Sequence, residues 1–474
     1  MKKITAIALF LVVALLFSGF PADATDRNSP EAALGCRSVF AQIPLGTTER
    51  LAETADAAML YELNTDTLVY GWNLDGRIDP TGMVKILTAL VALEQGNLED
   101  EVTVKRSTLN TVAIGSVSAN LQAGEVLTLR DLLYCVMVAS ANDAAAVVAE
   151  HVGGTQTAFV EMMNAKALEL GCTGSYFANA HGLSGTEQYS TARDLAIITE
   201  AALENPLFAE MFCMEECTIP ATNKWDERRL VTTNYMMSDS YTGKYLDSRM
   251  SGGKTAAATL TDRSLISTAE VGTSRYLCIV MSAEAEVSDD GFVVLRYGSF
   301  EETSALLDYG FQNFSVRQIV HDQQTIEQYS VSGGENDVVI RAAKTIHAVL
   351  PNEYLPEDIH FDTLVDANQL TAPIEKDASL GTLQIRYQNI VLGQCDLVAM
   401  HGVALKDSVI EQADRLQQPE PEPFDYKGLL IRIGLILAAV LLVAAFILVG
   451  IRMVRSIRVR QQHRRRMRSR RRSR

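Results

Sequence analysis

The apolar run Ile433–Ile451 constrains the topology of this chain more than any other feature. Its 19 consecutive residues carry no charge, and a helix of that length crosses the roughly 30 Å of hydrocarbon in a bilayer. The run therefore predicts one transmembrane helix at residues 433–451. A long segment precedes it, and a tail of residues 452–474 follows it.

Charge around this span orients the chain in the membrane. The tail carries 12 arginines and no acidic residue, whereas the preceding flank offers only Lys427 and Arg432. This asymmetry predicts a cytoplasmic tail and places everything before the span outside the cytoplasm. The whole chain has a net charge of −16, and setting the 12 arginines aside leaves −28. Such an acidic outer part argues against nucleic acid as its ligand. The tail itself either fixes topology or contacts anionic lipid or RNA.

The amino terminus has the layout of a cleaved secretory signal peptide, residues 1–24. A basic start is followed by the apolar run Ile4–Phe20 and the small-residue site Ala22–Ala24. The seven cysteines all lie on the outer side, where disulfides are permitted. Their odd number and wide spacing indicate mostly small buried hydrophobic residues. No spacing indicates a metal site, and we expect no cofactor.

The stretch Arg77–Gln95 predicts a helix that is buried on all sides. From Met83 its apolar residues occupy every face, and a Pro-Thr start signal precedes it. Lys85 is the only charge between Gly82 and Leu93. A buried ammonium must be paired, have a lowered pKa or reach water. Lys85 is therefore either a functional group or a lysine whose ammonium extends to the helix end.

Two further polar features stand in apolar surroundings. Ser140 and Asn142 lie between the helical segments Asp131–Ala139 and Asp143–His151, so their side chains need hydrogen-bond partners. Either of them could instead cap the second helix. The Gly-rich segment Ser251–Thr259 contains Lys254 and leads into two strands, and its glycines would let a ligand backbone approach closely.

The order of elements predicts a mixed α/β fold. A strand hairpin at Ala57–Trp72 comes first, helices follow, and strands close the domain, which indicates an antiparallel sheet covered by helices at residues 50–312. Alternating residues beyond Phe314 predict a second, β-sandwich-like domain at 315–412. A Pro-rich linker, residues 416–427, leads to the membrane.

These features together resemble a known enzyme family. Lys85 behind a Pro80 turn, Ser140-x-Asn142 and Lys254-Thr255 resemble the three active-site motifs of penicillin-binding serine enzymes. Further signatures similar to the low-molecular-mass D-alanyl-D-alanine carboxypeptidases, the peptidase S11 family, are Asn179-x-His181-Gly182-Leu183, Ser190–Leu195, Leu370–Ile374 and Leu380–Leu383. The resemblance implies a DD-peptidase/β-lactamase-like fold and action on peptidoglycan stem peptides in the cell wall.

The chain departs from the family pattern at two positions. The resemblance places the nucleophilic serine three residues before the first-motif lysine, and here that position is Gly82. Glycine has no side chain that could form an acyl-enzyme. The third motif, Lys-Thr-Gly in the family, is Lys254-Thr255-Ala256. We therefore expect a family member whose catalysis is lost or impaired.

The resemblance also assigns roles to individual residues. It places Lys85 and Ser140 with the Gly82 position at the catalytic centre, and it implies that the backbone N–H groups of Gly82 and Ala257 form an oxyanion hole. The substrate-binding residues that it implies are Asn142, Lys254, Thr255 and Ala257, with Lys254 and Thr255 facing the terminal carboxylate of a D-Ala-D-Ala peptide.

Two alternatives to an inactive, stem-peptide-binding protein stay open. An active carboxypeptidase could use Thr81, the only hydroxyl near the empty position. A membrane scaffold could use the arginine tail or the β-rich domain to bind protein partners, which the sequence does not name.

Overall fold

The computed structural model describes residues 43–183, 187–239, 243–407 and 426–469. The predicted signal peptide and the linker residues 416–425 lie outside the described residues. The chain divides into two units, Met1–Ser332 with Asn336–Val403 and Gly333–Glu335 with Ala404–Arg474.

An antiparallel sheet forms the centre of the first unit. Its strand order is β2-β1-β9-β8-β7, with β10 paired to β9. The strands are β1 (Ala57–Glu62), β2 (Thr67–Trp72), β7 (Met250–Ala257), β8 (Asp262–Val271), β9 (Ser274–Val287) and β10 (Val294–Tyr297). The predicted hairpin is confirmed as β1 and β2, and β7 forms one edge of the sheet.

Helices cover this sheet, as the sequence predicts. They are α1 (Val84–Gln95), α2 (Arg106–Leu109), α3 (Leu129–Met137), α4 (Asn142–Gly153), α5 (Gln156–Glu169), α6 (Ala192–Leu203), α7 (Pro206–Phe212) and α8 (Gly298–Asn313). Helix α1 contacts α3, α4, α5 and α6, and its residues from Val84 to Ala92 are all buried. The central position predicted for this helix is therefore confirmed. There are also two small two-stranded sheets among the described residues: β3 (Glu101–Thr103) with β4 (Val126–Thr128), and β5 (Glu216–Ile219) with β6 (Arg228–Val231).

A β-rich region follows α8, in agreement with the alternation beyond Phe314. Its strands are β11 (Phe314–Val320), β12 (Thr325–Tyr329), β13 (Val338–Ala342), β14 (Ile346–Pro351), β15 (Ile359–Val365), β16 (Ser379–Tyr387) and β17 (Ile390–Ala399). They form a five-stranded sheet, β12-β13-β17-β16-β15, and the pair β11-β14. One hydrophobic cluster contains Leu60 and Leu306 together with Val349 and Leu392. The β-rich region therefore shares a core with the helix-covered sheet.

In the second unit, helix α9 (Tyr426–Ser469) contains the predicted apolar span. The stretch Tyr426–Arg460 contains an 18-residue window with a mean hydropathy of 3.0, and it is long and apolar enough to cross a membrane. The six cysteines in the described part of the chain are free thiols, and four of them are buried: Cys135, Cys172, Cys278 and Cys395. The prediction of small buried hydrophobic residues thus holds for these four, while Cys213 is exposed.

The packing between sheet and helices gives a stability prediction. Leu277 on β9 is 0% exposed within the main hydrophobic core, so Leu277→Ala should leave a cavity and lower the free energy of unfolding by about 2–5 kcal/mol. Chemical denaturation of the full-length protein in detergent measures this change. The matched control is Leu168→Ala on α5, where the leucine is 64% exposed and the change should stay within about 0.5 kcal/mol. Equal effects of the two substitutions would contradict the assigned core.

Candidate active site

A cavity of about 360 Å³ opens beside strand β7. Among the described strands, β7 pairs only with β8, so its outer edge is free. The cavity brings together three segments that are distant in the sequence: the start of α1, the turn before α4, and β7. Six of the seven site residues that the sequence predicts line it: Gly82, Lys85, Ser140, Asn142, Thr255 and Ala257.

Gly82 lies in a 3-10 turn, Thr81–Met83, that leads into α1. A Cβ built on Gly82 would lie 3.6 Å from Lys85 Nζ and 3.4 Å from the Ala256 Cβ. These are ordinary van der Waals distances, so the turn has space for a small side chain that faces the lysine. The preceding Thr81 has φ = +46°, a strained conformation for a β-branched residue.

The Thr81 hydroxyl is not paired with the lysine in this structure. Thr81 Oγ1 is buried and has no hydrogen-bond partner among the described residues, Lys85 included. Direct proton transfer from this hydroxyl to the lysine would require the two groups to come within hydrogen-bond distance.

Lys85 is 2% exposed, and its Nζ donates a hydrogen bond to the His181 carbonyl oxygen at 2.5 Å. Burial, together with the positive charge of Lys254, sets the pKa of Lys85 well below its ordinary value, although Asp143 opposes the shift. This environment favours the neutral amine, which is the form that can accept a proton. The alternative in which the Lys85 ammonium extends to the helix end to reach water is wrong, because the side chain is buried.

Ser140 and Asn142 line the cavity from the turn before α4. Ser140 has φ = +58°, and its Oγ accepts a hydrogen bond from Lys254 Nζ at 2.6 Å. The N-cap of α4 is Ala141, with no side-chain cap, and Asn142 is the first helical residue. The alternative in which Ser140 or Asn142 caps this helix is therefore wrong.

Lys254 is 1% exposed and is not among the described residues that line the cavity. Its Nζ donates to Ser140 Oγ and, at 3.3 Å, to the Thr255 carbonyl oxygen. Burial lowers the pKa of Lys254 from 10.5 to about 7. Thr255 faces the opposite side of β7 and forms a hydroxyl–hydroxyl hydrogen bond with Thr233. The two residues expected to face a terminal carboxylate thus have different surroundings.

The segment His181-Gly182 packs against the start of α1. The pKa of His181 is lowered to about 4, first by burial and then by the nearby Lys85, so its ring is neutral at physiological pH. Gly182 has φ = +77°, and a Cβ there would lie only 1.8 Å from the Thr81 carbonyl oxygen. Only glycine permits this approach, which holds the His181 carbonyl oxygen close to Lys85.

A loop that sequence reasoning missed forms another wall of the cavity at Gly115–Val117. The Asn142 backbone N–H donates to the Val117 carbonyl oxygen at 2.8 Å. The Asp143 carboxylate accepts hydrogen bonds from Ser118 Oγ and two backbone N–H groups of the same loop. The helix that carries Asn142 therefore also positions this loop.

Other lining residues have no motif that sequence reasoning could detect. They are Thr233, Tyr235, Arg263, Ser264, Tyr297, Ser299 and Phe300. Only Arg263 had a possible signal, as the single cation that begins the strand after Lys254. Across the described ranges, no group of three His, Cys, Asp or Glu side chains could hold a metal ion.

Two ranges of the chain match known families. Residues 46–285 match the peptidase S11 family, described as D-alanyl-D-alanine carboxypeptidase. Residues 314–404 match the C-terminal domain of penicillin-binding protein 5.

Individual proteins are similar over most of the chain. The D-alanyl-D-alanine carboxypeptidase DacF of Bacillus subtilis is 27% identical over 76% of this chain and 89% of its own length. The D-alanyl-D-alanine carboxypeptidase DacC of Escherichia coli is 28% identical over 75% and 86%. The crystal structure of penicillin-binding protein 5 from Haemophilus influenzae shares the fold, with a TM-score of 0.60 and 24% identity over 76% of this chain and 99% of that one.

The burial of Lys254 predicts a distinct pH dependence of stability. Between its folded pKa of about 7 and its ordinary pKa of 10.5, the unfolded chain binds the additional proton. Stability relative to a Lys254→Met variant should therefore rise with pH across this window, by at most about 1.4 kcal/mol per pH unit, with the full cost of burying the charge present below pH 7. Denaturation of both full-length proteins at pH 6–10 measures the difference. A difference that stays constant over this range would contradict the buried position of the amine.

Proposed function

Because the chain belongs to the D-alanyl-D-alanine carboxypeptidase family, peptidase S11, we propose that it binds peptidoglycan stem peptides without cleaving them. The relatives' names describe carboxypeptidases that act on D-alanyl-D-alanine, which supports a stem peptide as the ligand. The proposal departs from those relatives at one step, the formation of the acyl-enzyme.

The Gly82 position carries this proposal. The family resemblance puts the nucleophilic serine there, and a Cβ at this position would lie 3.6 Å from Lys85 Nζ. A serine hydroxyl would thus be within reach of the amine that takes its proton, and Gly82 supplies no hydroxyl. Acyl transfer through a serine requires that nucleophile, so both peptide cleavage and stable acylation by penicillin should be absent.

Ala256 is the second departure, and it lies next to the first. Its methyl group is the nearest atom to the Cβ that a residue at position 82 would have, at 3.4 Å. The family resemblance expects glycine at 256. A serine at position 82 would therefore share its space with a methyl group that the family pattern lacks.

The features that bind a peptide do not depend on the missing hydroxyl. The free edge of β7 offers backbone groups to an extended peptide as an added strand. The backbone N–H groups of Gly82 and Ala257 remain as the oxyanion hole that the family resemblance implies. Among the described residues, no aspartate or glutamate lines the cavity, so an anionic peptide end meets no like charge there.

The alternative of an active enzyme that uses Thr81 lacks support. Thr81 Oγ1 forms no hydrogen bond to any described residue, and Thr81 is not among the described residues that line the cavity. A scaffold that acts through the arginine tail remains the second alternative, without a specific observation in its favour.

The proposed location is the outer face of a cell membrane. Helix α9 is long and apolar enough to anchor the chain, and the 12 arginines that follow the apolar span favour a cytoplasmic tail. A protein anchored in this way would meet stem peptides of the cell wall. We therefore propose a single-pass membrane protein with a large extracytoplasmic part.

Restoring the family residues tests the loss of acylation. The full-length protein in detergent should gain no mass after incubation with penicillin, whereas Gly82→Ser, Ala256→Gly should gain the mass of one drug molecule. The reason is that the double variant supplies a hydroxyl beside Lys85 and removes the facing methyl group. Intact-mass spectrometry measures both.

Adding Lys85→Ala to the double variant is the matched control, and it should abolish the gain because the proton acceptor is removed. Acylation of the natural protein would show that Thr81 or another nucleophile operates, and it would refute the proposal that the protein is inactive.

A further inference from the structure

The two buried lysines leave the cavity without a free ammonium group. Lys85 Nζ donates to the His181 carbonyl oxygen, and Lys254 Nζ donates to Ser140 and to the Thr255 carbonyl oxygen. Both amines are almost fully buried, at 2% and 1% exposure. A ligand carboxylate in the cavity therefore needs its positive partner from another residue.

Arg263 is the guanidinium among the described residues that line the cavity. Its position is fixed on two sides: Nε donates to the Leu260 carbonyl oxygen at 3.2 Å, and Cζ lies 5.4 Å from the centre of the Tyr297 ring. No described carboxylate lies within ion-pair distance of Arg263, although the adjacent Asp262 is near enough to interact electrostatically. The terminal nitrogens thus keep their hydrogen-bonding capacity.

The strand register places Arg263 beside Thr255. Arg263 on β8 pairs with Ala257 on β7, and paired residues point to the same face of a sheet. Thr255 is two residues from Ala257 and therefore also points to that face. Such diagonal neighbours are about 7–8 Å apart at the backbone, within reach of a long side chain.

We propose that Arg263, together with the Thr255 hydroxyl, binds the terminal carboxylate of the ligand peptide. This inference rests on the proposed binding of stem peptides and assigns the charge recognition within that site. A guanidinium offers two parallel N–H donors to a carboxylate and stays charged in partly buried surroundings. The Thr255 hydroxyl, already paired with Thr233, adds a third contact. Lys254 then hydrogen-bonds to Ser140 and to the Thr255 carbonyl oxygen and does not contact the ligand carboxylate.

The test compares two synthetic peptides that end in D-Ala-D-Ala, one with a free terminal carboxylate and one with a terminal amide. Calorimetric titration of the full-length protein in detergent should show that the peptide with the free carboxylate (the acid) binds more tightly than the peptide with the terminal amide (the amide). Arg263→Gln should weaken binding of the acid by about 10- to 100-fold and leave binding of the amide unchanged. Arg263→Lys should keep part of the preference for the carboxylate peptide, because lysine keeps the positive charge but lacks the two parallel N–H donors of the guanidinium.

Arg275→Gln is the matched control, since Arg275 lies at the β8–β9 turn and pairs with Glu270 at 2.8 Å. Arg275→Gln should keep the wild-type ratio of the affinities for the two peptides. A general loss of stability would lower binding of both peptides together and would leave this ratio unchanged. An undiminished preference for the acid in Arg263→Gln would overturn the assignment of Arg263 while leaving peptide binding intact. Failure of the natural protein to bind either peptide would overturn the proposed function, and this inference with it.

Discussion

Two amines buried side by side, Lys85 and Lys254, impose the main constraint on this structure. Burial lowers the pKa of each amine, and the positive charge of Lys254 lowers the pKa of Lys85 further. Buried polar groups need partners, and here the partners are oxygen atoms: the His181 carbonyl, the Ser140 hydroxyl and the Thr255 carbonyl. The turns that carry the first two adopt left-handed conformations at Ser140 and Gly182. The amines thus determine how three distant segments meet.

This network explains how the site can keep its arrangement with a glycine at position 82. None of the hydrogen bonds that satisfy Lys85 and Lys254 involves a side chain at position 82. A glycine there leaves the buried polar groups paired, so the fold does not depend on the serine that the family resemblance expects. The free edge of β7 is likewise independent of that position. The proposed loss of acyl transfer is therefore compatible with a cavity that keeps its shape and its polar network.

The two departures from the family pattern become related only in three dimensions. Gly82 and Ala256 are 174 positions apart in the chain, yet the Ala256 methyl group faces the space beside Gly82. A side chain is missing on one wall, and a methyl group is present on the other. Close packing of protein interiors couples such neighbours, so the two substitutions act on the same small volume. On the opposite face of β7, Arg263 and Thr255 are brought together by register alone.

The sequence by itself determined the elements and six of the residues that line the cavity. Apolar patterns located the β1–β2 hairpin and the buried helix α1, and three short motifs identified six cavity residues, because hydrophobic periodicity and motif spacing are local properties. The tertiary structure alone decided which way each polar group points: Lys254 toward Ser140 and not into the cavity, and Arg263 into it. It also decided that the β-rich region shares a core with the main sheet. Those outcomes depend on strand register and on contacts between distant segments, which no local pattern encodes.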